Sequence, residues 1–152
     1  AIIAQELATA TFGLLGARNS VFVNFYYLRQ EPITGSGQPL PPALFPYNNN
    51  TQSGATLSWS HRLTPLLSLD TMLTLSQTTS NDVLPAVDQT VKPTTRFGSV
   101  FVNLSAPLSP QTTVYAGARY QRSRGYQLPT TEIRTGEYNE AALVAGINYM
   151  FK

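Results

Sequence analysis

The sequence predicts an all-β fold, an antiparallel up-and-down meander of about seven strands, and three observations predict it. Apolar and polar residues alternate with period two through segments rich in β-branched and aromatic side chains, while the i, i+3, i+4 recurrence of a helix is rare. Tight-turn sequences alternate strictly with long stretches rich in Pro, Gly, Asn and Thr. Charged residues make up only 12% of 152 residues, about half the usual share. A soluble domain coats itself with Lys and Glu, so here something other than water is expected to cover part of the surface.

The first two strands are placed at 7–16 and 20–30, joined by Ala17-Arg18-Asn19-Ser20. Their apolar pattern is the least regular, since Asn19 to Tyr27 is apolar on both sides. The next hairpin, 55–63 and 67–79, turns at Thr64-Pro65-Leu66. Directly opposed residues share a face. Pairing Leu63 with Leu67 therefore gathers Leu57, Trp59, Leu69, Leu73 and Leu75 on one side, and Ser58, Ser60, Arg62, Asp70, Thr74 and Ser76 on the other.

The third hairpin, 96–108 and 112–124, turns at Ser109-Pro110-Gln111. It sets Val100, Val102, Leu104, Ala106, Val114, Ala116, Ala118 and Tyr120 against Ser99, Asn103, Ser105, Thr113, Gly117, Arg119 and Gln121. Phe22, Phe101 and Tyr115 break the pattern by falling on the polar side. The last strand, 138–151, carries an unbroken apolar row of Ala141, Leu143, Ala145, Ile147, Tyr149 and Phe151. The long connections are 31–54, 80–95 and 125–137, and the Pro-rich part of the first, 39–46, reads as a rigid loop.

Alternation alone also fits a soluble ligand-binding β-barrel. The polar face, however, is Ser, Thr, Asn and Gly with few charges, the composition of a lumen rather than of a surface in water. Strands of about ten residues suffice to cross a bilayer when tilted. The expected fold is thus an antiparallel up-and-down transmembrane β-barrel, a single domain over 1–152, with short turns on the periplasmic side and long loops outside.

Composition excludes several functions. A net charge of +2 with only Lys92 and Lys152 as lysines does not suit nucleic acid, and the absence of Cys removes disulfides and thiol chemistry. Ala1-Ile2-Ile3-Ala4 is too short, and lacks the basic flank, to be a signal peptide. His61 is the sole histidine and has no carboxylate at useful spacing, so no catalytic, metal or cofactor site is expected and the chain reads as non-enzymatic.

Arg62, Asp70, Asn103, Tyr115 and Arg119 are the pore-lining candidates, with Arg62 and Asp70 within reach of an interior ion pair. Arg29, Arg119, Arg122 and Arg124 lie towards the outer rim, where they either meet lipopolysaccharide phosphates or are solvated. Tyr27, Trp59, Tyr120, Tyr149 and Phe151 are expected as membrane-interface aromatics.

Gly146, Tyr149 and Phe151, at the end of a terminal strand, resemble the assembly signal of bacterial outer-membrane β-barrels. The stretch departs from it at Val144, where a polar residue is usual, and in having Lys152 after Phe151. The resemblance implies the outer membrane of a Gram-negative bacterium, with outer-membrane lipids, lipopolysaccharide and the barrel-assembly machinery as partners. Residues 9–29, with Gly16-Ala17-Arg18-Asn19-Ser20 between two strands, and the closing Gly146 to Phe151 are similar to the PEP-CTERM-associated outer-membrane β-barrel family. That family is linked to exopolysaccharide production, and its members are substantially longer. The function implied is a porin-like passage or scaffold in the cell envelope, linked to polysaccharide export, or a sheath or accessory subunit of a larger envelope complex.

Single-chain bacterial barrels have an even strand number and both ends in the periplasm. About seven strands leave an edge open, which a short eighth strand at 1–7, earlier sequence or several copies would close. The expectation is the C-terminal part of a larger barrel.

Overall fold

A computed structural model describes residues 2–33, 49–80, 94–125 and 137–151. The predicted long connections, including the Pro-rich 39–46, fall largely outside the described residues. Seven strands form one sheet: β1 (Ile2–Leu15), β2 (Asn19–Ile33), β3 (Asn50–Thr64), β4 (Leu67–Ser80), β5 (Thr94–Ser109), β6 (Thr112–Arg124) and β7 (Tyr138–Tyr149). Each pairs antiparallel with its neighbour in sequence.

Residues 2–7 begin β1 instead of forming an eighth strand. The sheet does not close. β1 and β7 are its edges, and with seven alternating strands they run in the same direction. Closing one onto the other would need a parallel seam.

Two hairpin tips share one device. β-Bulges interrupt the register between Arg62 and Thr64 and between Pro107 and Ser109, so Leu63 is the extra residue and Thr64, not Leu63, pairs with Leu67. The Thr64 hydroxyl accepts a hydrogen bond from the Leu66 amide (3.2 Å), and Ser109 accepts one from the Gln111 amide (3.3 Å). The hydroxyl residue before Pro thus caps a two-residue turn whose proline has no amide to offer.

Register also measures strand tilt. One row crosses the sheet through Leu14, Val21, Trp59, Thr71, Val102, Ala118 and Leu143. From it, the last paired residue lies one position away in the first hairpin (Ser20), four in the second (Leu67) and six in the third (Thr112). The tips advance by about two and a half residues per hairpin, which at ~3.3 Å per residue and ~4.8 Å per strand is a lean of about 40°.

The described residues form a single layer with no buried apolar side chain; the only buried residues are Asn50 and Ser123, both on the polar face. Leu143 is 89% exposed, Leu14 75% and Ile147 70%. A sheet this apolar on one side has to have that side covered by something other than water.

Candidate functional site

Pairing sorts the sheet into two unlike faces. The row Phe12, Val23, Leu57, Leu73, Val100, Tyr120, Ala141 is apolar across all seven strands. The next row on the opposite face, Thr11, Asn24, Thr56, Thr74, Ser99, Gln121, Glu140, is polar across all seven.

The five aromatics expected at interfaces all lie on or beside the apolar face, and those within strands sit at its margins. Tyr27 and Tyr120 each stand two residues inside an arginine, Arg29 and Arg122, towards the long-loop end. Trp59 stands two residues inside His61 towards the short turns. Its indole stacks on the His61 ring (5.8 Å, 29°), and Asn19 Oδ1 accepts from Trp59 Nε1 at 3.4 Å and lies 2.5 Å from His61 Nδ1. At the other end of the same margin, Tyr149 meets Phe151 edge-to-face at 4.8 Å and donates to Gln111 Oε1 at 3.3 Å. Among the described residues, no three His, Asp or Glu side chains come together.

Arg62, Asp70, Asn103, Tyr115 and Arg119 all fall on the polar face. Arg62 and Asp70 do not form the expected ion pair. Arg62 is exposed beside the bulge, whereas Asp70 is half-buried, between Ser60 and Asn103 in the ladder. Among the described residues, the ion pair on this face is Arg119 with Glu140, 2.6 Å apart across β6 and β7. Glu140 escapes sequence reading because a long connection separates the two strands, leaving their register open.

Two of the three aromatics that break the alternation have a packing role that pattern reading missed. Phe22 pairs directly with Gly13, and Tyr115 with Gly146; Tyr26 makes a third such pair with Gly54. Each ring lies over its glycine: a Cβ on Gly13 would stand 2.8 Å from Phe22, and one on Gly54 2.6 Å from Tyr26. The ring fills the space that glycine leaves, which pins register on the polar face. Gly146 and Tyr149 of the expected assembly signal therefore also have local partners, Tyr115 and Gln111.

The long-loop end of the apolar face is divided by charge. On β1 and β2, Arg29 pairs with Glu31, and Glu6 lies opposite it. On β5 and β6, Arg96 is directly opposite Arg124, with Arg122 two residues further along β6. Arg119, grouped with Arg122 and Arg124 by sequence proximity, faces the other way.

No family model, curated protein or solved structure matches the chain.

Proposed function

We propose that this sheet is the wall of an outer-membrane β-barrel acting as a passage or scaffold in the cell envelope. The observation that carries it is the pair of adjacent rows, one apolar and one polar, each unbroken across seven strands, with no second layer on either among the described residues. Lipid covers the first row and a hydrated lumen meets the second.

Dimensions support the reading. The apolar stretch from Gly98 to Leu108 on β5, or Ala141 to Phe151 beyond β7, spans roughly 33 Å along the strand and about 25 Å once tilted. The lean of about 40° lies in the range that barrel closure requires. Hydroxyl and amide side chains on the other face suit water and sugars, consistent with the polysaccharide link that the family resemblance implies.

Closure needs strands of the opposite direction. Copies sharing one membrane orientation would set β7 of one beside β1 of the next in parallel. An odd number of further strands, from the same protein or from an envelope subunit, closes the sheet antiparallel throughout.

Conductance in planar bilayers tests the passage role with the complete protein. Discrete steps that respond to Glu140→Gln are expected; insertion without any conductance would rule out an open passage and leave the scaffold.

A further inference from the structure

Arg96 and Arg124 are register partners on the apolar face, so their Cβ atoms lie about 5 Å apart. Arg122 is the next residue inward on that face, opposite Gly98 on one side and Asn139 on the other. Like charges directly opposed destabilise a sheet unless something compensates them. All three arginines are exposed, and the ion pairs among the described residues, Arg29–Glu31 and Arg119–Glu140, do not include them. Arg96 Nε donates to Gln77 Oε1 at 3.2 Å, a neutral partner that leaves its charge in place.

Immediately inward of Arg122 the surface is apolar and hollow. Val100, Tyr120 and Leu143 wall a shallow groove of about 300 Å³ whose floor includes the small residues Ala118 and Ala141. A cationic cluster that opens onto an apolar groove on the same face has the form of one ligand: an anionic head joined to a hydrocarbon chain.

We infer that Arg96, Arg122 and Arg124 bind the phosphate monoester of a lipid headgroup in the leaflet at the long-loop end, with an acyl chain of that lipid in the Ala118–Ala141 groove. Guanidinium groups meet phosphate oxygens in bidentate pairs, and a phosphate between opposed arginines turns their repulsion into attraction. Asn139 stands beside Arg122 and supplies an amide donor at the same level. The acidic and paired side chains of β1 and β2 offer no equivalent, so the site is confined to one side of the sheet. The inference rests on the proposal that this face meets lipid.

The test reconstitutes the complete protein in neutral phosphatidylcholine vesicles and titrates in lipid A, its fully dephosphorylated counterpart, or inorganic phosphate, following the thermal midpoint of sheet loss. Lipid A is expected to act at concentrations at least tenfold below the dephosphorylated lipid, and free phosphate to have no effect. Arg122→Gln should weaken the response about tenfold, the loss of one charge-assisted contact. The triple change R96Q, R122Q and R124Q should abolish it, and Arg29→Gln, which alters an arginine already paired with Glu31, should leave it intact. Equal responses to the two lipids, protection by inorganic phosphate alone, or an unchanged response in the triple variant would overturn the site while the membrane reading stands. Failure to insert even into neutral vesicles would overturn both.

Discussion

Gly54 has the least room of the described glycines that face a neighbouring strand's backbone. A Cβ there would stand 2.6 Å from the Leu75 carbonyl oxygen as well as from the Tyr26 ring, and the carbonyl belongs to the ladder and cannot move aside. Gly54→Ala is therefore expected to destabilise the sheet by about 1–3 kcal/mol, read as a lowered thermal midpoint. Gly98 is the control. Its Cβ would meet only Leu75 Cδ2 at 3.4 Å, the end of a flexible side chain, so Gly98→Ala should change stability by roughly 0.5 kcal/mol or less. The Arg119–Glu140 pair differs in kind: both side chains are nearly half exposed (43% and 47%), so it contributes about 1 kcal/mol at most. Glu140→Gln should leave stability almost unchanged while shifting the reversal potential of reconstituted protein towards anion preference, because it frees a guanidinium on the polar face. An unshifted potential would place Arg119 away from any ion path.

At the scale of elements, the turns and strands were readable because their determinants are local. Period-two alternation marked the strands of the second and third hairpins and the last strand, β-branched and aromatic content marked the first two, and Thr64-Pro65 and Ser109-Pro110 marked two tips that prove to share one hydroxyl-capped turn. Thr64→Ala or Ser109→Ala removes the acceptor for one turn amide and should cost about 0.5–1.5 kcal/mol, checked by the same thermal midpoint. Within the short hairpins the tight turn sets register, which is why the sidedness of Leu73 and Thr74, or of Val100 and Ser99, could be read without the structure. Across the long connections nothing local sets register. Glu140 beside Arg119 and Gly146 beneath Tyr115 both depend on the β6–β7 register and were illegible for that reason. The sidedness itself can be challenged with one pair of changes. Leu73→Arg on the apolar row should cost about 2–4 kcal/mol in lipid, while Thr74→Arg, the adjacent residue on the polar row, should be tolerated.

For the whole molecule, the described residues form an open seven-stranded sheet without a buried apolar side chain. Alternation, low charge and loop asymmetry pointed to such a sheet. They could not settle how its edges are paired, since edge pairing is a property of the assembly and not of any segment. The measurement that bears most directly on the lipid-facing reading exploits the absence of native cysteine. Single cysteines are placed at Leu57, Leu73 and Val100 on the apolar row, and at Thr56, Thr74 and Ser99 on the polar row. Each is labelled with an environment-sensitive fluorophore in protein reconstituted into vesicles that carry a lipid-attached quencher. Quenching at 57, 73 and 100 but not at 56, 74 and 99 is the predicted result; equal quenching of both rows, or quenching of neither, would contradict it.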